Sequence, residues 1–231
     1  MLVARRADRL AALARELGGP EVVLALPLDL TEPDAGARLQ DELDRRGIFV
    51  ELLVNNAGVG HTGPFLEEPP ERIAAMLDLN MRAVVGLTRR LVPAMVARRS
   101  GAVVNVVSTS AFQPVPYLAV YAASKAFVLS FTEALASELH GTGVTVQALC
   151  PGLTASEFHR TAGTDKVLFT RTAMMTAPAV VERSLRALDR RTLRVVPGWQ
   201  NRLVASAQAF LPRSLVRTVA GRLFRPRPGS A

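Results

Sequence analysis

Three side chains with complementary proton chemistry lie close together in the sequence: Ser108, Tyr121 and Lys125. Tyr121 and Lys125 are four residues apart, so on a helix they share one face. An ammonium group beside a phenol favours the phenolate and lowers the pKa of the tyrosine. Such a phenol can give a proton to a carbonyl or take one from an alcohol, and a serine hydroxyl can hold the same oxygen. This is the proton-transfer half of a hydride transfer in which a cofactor carries the hydride. The same spacing also occurs on ordinary surface helices, so the pair alone is a weak signal.

The elements that must position these groups are short apolar runs alternating with longer helical stretches. Strands are predicted at 2–4, 21–26, 51–55, 102–107, 144–149 and 193–196. Helices are predicted at 8–17, 32–46, 71–99, 119–140 and 179–189, and two more within 199–224, broken by Pro212. The strands are continuous apolar runs, which indicates burial on both faces. The alternation therefore predicts a doubly wound α/β fold with its functional groups at the carboxyl ends of the strands.

Polar and glycine motifs follow several of these strands. They are Asn-Asn-Ala-Gly at 55–58, Asn80, Asn-Val-Val-Ser at 105–108, Tyr-Ala-Ala-Ser-Lys at 121–125 and Pro-Gly at 151–152. In this order and spacing they resemble the short-chain dehydrogenase/reductase family, from residue 1 to about residue 196. The resemblance implies a Rossmann-like parallel sheet flanked by helices and an oxidoreductase acting on a carbonyl or an alcohol.

The resemblance also assigns catalytic roles. Tyr121 would be the acid/base, Lys125 would hold the nicotinamide ribose and lower the pKa of Tyr121, and Ser108 would orient the substrate carbonyl. Asn80 would hold a water that links Lys125 to solvent; the alternative is an asparagine that only bridges backbone groups. Asn55 would tie neighbouring strands together.

The residues after the first strand bear on the choice of cofactor. Arg5 stands where members of the family that use NAD carry an acid, and its guanidinium suits a 2′-phosphate. Arg6 would add to it, and Asp29 would meet the adenine amino group, so the resemblance implies NADP(H). The alternative is a pair of solvated arginines. The remaining cofactor contacts implied by the resemblance are Asn56, Ala57 and Gly58 at the adenosine ribose, Tyr121 and Lys125 at the nicotinamide ribose, and Pro151, Gly152, Leu153 and Thr154 at the nicotinamide carboxamide. No metal ligands are predicted.

The segment after Ser156, through about Thr176, would form a mobile lid over the substrate. It includes Phe158, Leu168, Phe169, Met174 and Met175. These side chains predict a small, apolar carbonyl or alcohol substrate; the alternative is that they pack on the core.

The glycine-rich turn that opens the family, Thr-Gly-x-x-x-Gly-x-Gly, has no counterpart in the sequence. The usual first strand and helix, roughly 30 residues, are then missing. We expect Met1 to be an internal start and the natural product to begin upstream. The alternative to an enzyme is a truncated, non-catalytic relative with weak or no cofactor binding.

The positive charge of the chain is concentrated at its end. The net charge is +8, and from Arg190 onward there are nine arginines and no acidic residue. We therefore divide the chain into an oxidoreductase domain at 1–198, incomplete at its N-terminus, and a basic amphipathic tail at 199–231. The apolar face of the tail comprises Leu215, Val216, Val219, Leu223 and Phe224. Such a helix can lie on an anionic membrane, cap the substrate pocket or pack on a partner subunit. Nucleic-acid binding is not expected, because the basic residues are not spread over a reading surface.

The remaining expectations concern location and assembly. Cys150 is the single cysteine, so no internal disulfide can form. No apolar run reaches the roughly 18 residues of a membrane span. These features predict a cytoplasmic protein. The apolar helices at 71–99 and 119–140 predict a homodimer or homotetramer.

Overall fold

A computed structural model of the chain describes residues 1–164, 174–208 and 210–225. It groups the chain into two compact units, residues 1–49 and 50–231. In the first unit, β1 (Leu2–Ala4) pairs in parallel with β2 (Ala25–Pro27). The helices α1 (Ala7–Glu16) and α2 (Ala35–Arg45) accompany them. Each helix buries leucines or alanines one turn apart, which gives this unit its own small core.

The second unit is built around a four-stranded parallel sheet. Its strands are β3 (Leu52–Asn55), β4 (Gly101–Val106), β5 (Val144–Leu149) and β8 (Arg194–Val195), in that spatial order. Three long helices accompany the sheet: α4 (Ala83–Arg98), α5 (Ala119–Glu138) and α7 (Ala177–Asp189). Successive residues of a strand point to opposite faces. Ala148 packs with residues of α4 and α5, whereas its neighbour Leu149 packs with Val180 of α7.

Helices therefore cover both faces of this sheet. Burial on both faces explains why its central strands are nearly continuous apolar runs. The predicted doubly wound, Rossmann-like α/β fold is confirmed. None of the helices among the described residues has the length and hydrophobicity needed to cross a bilayer.

The helix predicted at 71–99 is found as one continuous helical run at 70–98, with a π turn inside it that was not predicted. It divides into α3 (Pro70–Leu77), a π-helical turn (Asp78–Arg82) and α4. A π turn places one extra residue in the helix and is common at functional sites. Asn80 lies at its centre and is fully buried.

The segments after β5 surround the end of the sheet. Two-residue strands β6 (Thr154–Ala155) and β7 (Met175–Thr176) pair in parallel, and α6 (Phe158–Ala162) follows β6. The chain ends in α8 (Trp199–Gln208) and α9 (Arg213–Leu223), divided near Pro212 as predicted. The inner face of α9 packs on the second unit: Ala220 and Phe224 share a buried cluster with Met76, Leu118 and Tyr121.

Candidate active site

Ser108 and Tyr121 meet at the carboxyl end of β4. Ser108 follows this strand and caps a short 3₁₀ helix (Thr109–Phe112), accepting a hydrogen bond of 3.1 Å from the Ser110 N–H. Tyr121 lies in the first turn of α5 and is 8% exposed. Burial raises the pKa of Tyr121 to about 12, and a hydrogen bond with the Ser108 side chain acts in the opposite direction. The phenol is therefore neutral, and it lines the same pocket as the serine hydroxyl.

Lys125 lies one helical turn after Tyr121 and is equally buried. Its Nζ donates a hydrogen bond of 2.8 Å to the Val106 carbonyl and lies 5.8 Å from the centre of the Tyr121 ring. Burial lowers the pKa of Lys125 to about 8. Negative charge on Cys150 has a smaller effect, which raises the pKa. The expected net lowering of the Tyr121 pKa is not found, because loss of solvent outweighs the other influences on the phenol. The grouping of Ser108, Tyr121 and Lys125 that the sequence predicted is present.

Asn80 holds the loop that follows β3. Its Oδ1 accepts a hydrogen bond of 3.0 Å from the Val59 N–H, and its Nδ2 donates to the Val59 carbonyl (2.9 Å) and to Ser124 Oγ (3.1 Å). Asn80 thus bridges backbone groups of Val59 and also contacts the Ser124 side chain. Its role in holding a water next to Lys125 stays a prediction.

Gly58 lies where this loop passes the buried lysine. A Cβ at Gly58 would stand 3.3 Å from Asn80 Oδ1 and 3.4 Å from Lys125 Nζ, closer than most real Cβ contacts. The glycine therefore leaves a small cradle beside the ammonium group. Asn56 and Ala57, which precede it, are exposed after β3.

Buried side-chain amides and hydroxyls form a hydrogen-bond network that joins the strands β3 and β4 to the helices beside them. Asn55 Nδ2 donates to Asn105 Oδ1 (2.8 Å) and to Thr88 Oγ1 (3.2 Å), and Asn105 Nδ2 donates to Thr132 Oγ1 (2.9 Å). Asn55 and Asn105 are register partners on β3 and β4. The prediction that Asn55 ties neighbouring strands together is confirmed. The sequence analysis did not identify Thr88 and Thr132, which connect these strands to α4 and α5.

A pocket opens above Ser108 and Tyr121. The Phe158 ring lies 5.4 Å from the Tyr121 ring, centre to centre. Other residues of the wall are Leu118, Leu153, His159, Thr164 and Phe224. Gly60 makes the aromatic contact possible, because a Cβ there would stand 2.8 Å from the tip of Phe158 and 3.2 Å from the Tyr121 ring. The pocket wall therefore combines apolar side chains with several hydroxyl groups, those of Thr109, Ser110 and Thr164 as well as Ser108 and Tyr121.

His159 also lines the pocket and was not predicted from the sequence. Its Nδ1 lies 2.9 Å from Thr164 Oγ1 and its Nε2 lies 3.0 Å from the Thr154 carbonyl. The carbonyl can only accept, so Nε2 carries a proton. A lone histidine in a segment without clear periodicity gave no signal for this placement.

The predicted lid residues divide between pocket and core. Phe158 lines the pocket, whereas Met175 packs beside a core cluster with Leu149 and Val195. Leu168 and Phe169 lie outside the described residues.

The segment at 151–154 runs along the pocket next to Ser108. The Pro151 carbonyl accepts a hydrogen bond of 2.9 Å from the Thr109 N–H, and Leu153 lines the pocket. Thr154 Oγ1 donates to the Gly152 carbonyl (3.1 Å). A Cβ at Gly152 would displace the Asn201 side chain of α8, so this glycine leaves the room that Asn201 fills.

In the first unit, Arg5 and Asp29 follow β1 and β2. The Arg5 guanidinium is 3.7 Å from the Asp29 carboxylate and is 65% exposed, and Arg6 directly precedes α1. Burial raises the pKa of Asp29, but hydrogen bonds from the Thr31 N–H and hydroxyl, together with Arg5, outweigh it and lower the pKa. Asp29 is therefore ionised, and Arg5 remains open to a second anion. Within the described ranges, no group of histidine, cysteine and acidic side chains is arranged to hold a metal ion.

Comparison with known proteins places this geometry in context. Residues 1–167 match the short chain dehydrogenase family. A short chain dehydrogenase of Pseudocercospora fijiensis is 40% identical over 160 residues, which cover 67% of this chain and only 51% of the relative. An oxidoreductase of Myxococcus xanthus is 32% identical over 95% of this chain and 85% of its own length. A short-chain dehydrogenase from Sphingobium yanoikuyae, solved in complex with NADPH, superposes with a TM-score of 0.77 and 32% identity over 90% of this chain and 84% of that structure.

Proposed function

The chain belongs to the short-chain dehydrogenase family, and from this premise we propose that it is an NADP(H)-dependent oxidoreductase acting on an apolar carbonyl or alcohol. The observation that carries the proposal is that Ser108 and Tyr121 lie together in the wall of one pocket. Lys125 lies beneath the same ring. Buried titratable groups with shifted pKa values beside a cleft are typical of active sites.

The two hydroxyl groups account for proton transfer at the substrate oxygen. A carbonyl oxygen between them would accept hydrogen bonds from Ser108 and Tyr121. With a pKa near 12, Tyr121 keeps its proton at neutral pH and is available as the donor in reduction. The Lys125 ammonium, 5.8 Å from the ring centre, stabilises negative charge on the phenol oxygen as the proton leaves.

The residues present fit a nicotinamide cofactor. The cradle at Gly58 leaves room beside Lys125 Nζ that a side chain would fill. Lys125 would hold the nicotinamide ribose, and the segment 151–154 would meet the carboxamide. In the first unit, Arg5 and Arg6 would hold a 2′-phosphate, because an exposed guanidinium offers a fork of donors to a phosphate. When bound, NADP(H) supplies or accepts the hydride. The Sphingobium relative, solved with NADPH, supports this choice.

The pocket wall indicates the class of substrate. Leu118, Phe158 and Phe224 present apolar surface around the hydroxyl pair. No charged side chain is among the described residues that line the pocket. We therefore propose a small, uncharged ketone, aldehyde or alcohol with an apolar body.

We also propose a homodimer or homotetramer. The support comes from α5, where the half-exposed Phe127 stacks on Phe131 with ring centres 6.4 Å apart. An aromatic pair at the surface of a long helix suits a contact between subunits.

The test is NADPH oxidation with a panel of apolar ketones and aldehydes, comparing Tyr121→Phe with the unchanged protein. Removing the acid/base hydroxyl should lower kcat by about 100-fold or more. NADPH binding, followed by fluorescence titration, should persist. Tyr117 is the other tyrosine of the chain, so Tyr117→Phe is the matched control and should retain activity. Equal activity in both variants would remove Tyr121 from the mechanism. Failure of the unchanged protein to bind NADPH would instead support a non-catalytic relative.

A further inference from the structure

The last two helices expose an unusual amount of apolar surface. In the part of the chain that the structure describes, 21 large apolar side chains are exposed, and seven of them lie between residues 199 and 219. They are Trp199, Leu203, Val204, Phe210, Leu211, Leu215 and Val219. Single exposed apolar residues need no explanation, but such a concentration marks a surface that contacts something apolar.

Helix α8 is oriented opposite to an ordinary surface helix. Asn201, Ala205 and Gln208 are partly buried, and they recur at the spacing of one helical face. Asn201 packs against Gly152, and its Nδ2 donates to the Pro197 carbonyl (2.8 Å). The opposite face carries Trp199 and Leu203, which are 66% and 62% exposed. The helix thus turns polar groups toward the protein and a tryptophan and a leucine toward the outside.

Helix α9, which follows α8, adds further exposed apolar side chains and positive charge. Its inner face buries Val216 and Ala220, while Leu215 and Val219 are half exposed. Arg217 and Arg222 are exposed on this helix. Between the two helices Phe210 is 88% exposed. Because the sequence from Arg190 to the end contains no acidic residue, nothing within this segment neutralises its arginines.

We propose that α8, α9 and their connection, the tail surface, dock on an anionic lipid bilayer. Trp199, Leu203 and Phe210 would enter the boundary between headgroups and acyl chains, and the arginines would face anionic headgroups. Outward tryptophan and aliphatic side chains combined with basic residues are the composition of an interfacial helix. A second copy of the chain would bring a second set of arginines against the first, and this repulsion favours lipid over self-association.

Co-sedimentation of the purified protein with vesicles tests the proposal. One set contains phosphatidylcholine alone, and the other contains equal parts of phosphatidylcholine and phosphatidylglycerol. We expect binding to the second set that weakens as salt is added, because screening reduces attraction between surface charges. Binding to neither set, or equal binding to both, would overturn the proposal.

Two pairs of variants assign the contact to the tail surface. Trp199→Ser with Leu203→Ser should weaken vesicle binding by roughly tenfold or more, since apolar area no longer leaves water. The control is Leu66→Ser, because Leu66 is 94% exposed outside the tail. Arg217→Gln with Arg222→Gln should weaken binding about 30-fold, from ~1 kcal/mol for each basic residue near an anionic surface. The control is Arg183→Gln on the exposed face of α7. If tail and control variants bind alike, the contact lies elsewhere and the proposal is wrong.

Sedimentation velocity of the same proteins without lipid tests whether the tail surface contacts a second copy of the chain instead of a bilayer. If the Trp199→Ser, Leu203→Ser protein loses a subunit that the unchanged protein holds, the tail surface is an interface between copies of the chain, and the lipid proposal fails. Circular dichroism of each variant shows that it is folded, as expected for changes at exposed positions.

Discussion

Replacing Lys125 with methionine should change how the free energy of unfolding depends on pH. Burial lowers the pKa of Lys125 from 10.5 to about 8 in the folded protein. Between these values the unfolded chain carries a proton that the folded chain lacks, so stability rises as the pH rises through this window. Each pH unit within it adds about 1.4 kcal/mol, and the whole rise is about 3 kcal/mol. Lys125→Met has no group that titrates there, so its stability lacks this rise.

Urea unfolding of both proteins at about pH 7.5 and about pH 10 measures the effect. The quantity to compare is the difference in unfolding free energy between variant and unchanged protein at each pH. The lost hydrogen bond from Nζ to the Val106 carbonyl affects both conditions equally and cancels. Tyr121 and Cys150, whose pKa values burial raises to about 12, are present in both proteins. The unfolding free energy of Lys125→Met, minus that of the unchanged protein, should fall by about 2–3 kcal/mol from the lower pH to the higher one. Tyr121→Phe, which keeps Lys125, should follow the unchanged protein through the lower part of the window. A difference that stays constant within about 0.5 kcal/mol would show that the ammonium is not desolvated.

Three further substitutions test the parts around the catalytic pair. Asn105→Ala removes one buried hydrogen-bond partner from the Asn55 amide and one from the Thr132 hydroxyl. Urea unfolding should therefore show a free energy of unfolding lower by about 2–4 kcal/mol, and a decrease below about 1 kcal/mol would contradict the network. Gly60→Ala should displace the flexible tip of Phe158 and change kcat/KM several-fold, while stability changes by less than about 1 kcal/mol; unchanged kinetics would show that Phe158 does not shape the site. Phe224→Leu should enlarge the pocket and raise kcat/KM for bulkier ketones relative to smaller ones, and an unchanged ratio across the panel would place Phe224 outside the substrate site.

The sheet could be predicted because its burial is visible in the sequence. The residues of β5 are as predicted, and β4 is displaced by a single residue, since both are central strands with apolar runs on both faces. The second strand was predicted at 21–26 but is found at Ala25–Pro27. That short edge strand contains a proline, so periodicity and composition are weak guides to its ends.

The interruption at the π turn had no comparable signal. Residues 71–99 keep an apolar pattern through the turn, and its one extra residue is too small a change to disturb that pattern. The turn exists because of a long-range contact: Asn80 holds both backbone groups of Val59, 21 residues away in the sequence. Contacts of this kind depend on tertiary structure, which residue spacing along one helix does not contain.

The same distinction separates the site residues that the sequence identified from those it missed. Ser108, Tyr121 and Lys125 follow one another along a strand end and a helix, so local spacing places them together. His159, Thr164 and Phe224 reach the pocket from segments distant in sequence, and their roles follow only from packing.

Helix α9 shows why a pattern can predict an amphipathic helix without predicting its partner. The sequence predicted one apolar stripe on this helix and three alternative partners for it: a membrane, the substrate pocket or a second subunit. The stripe comprises Leu215, Val216, Val219, Leu223 and Phe224. In the structure the stripe is wider than its contact with the core: Phe224 lines the pocket and Val216 is buried, while Leu215 and Val219 stay half exposed. The membrane and the pocket alternatives are therefore compatible, because the two edges of the stripe face different surroundings. If the outer edge docks on lipid, the helix that touches the bilayer also forms a wall of the pocket, and an apolar substrate could pass between them without crossing bulk water. Anionic vesicles should then lower KM for a membrane-soluble ketone but not for a water-soluble one. If vesicles change the two KM values alike, the lipid contact of the helix does not deliver substrate to the pocket.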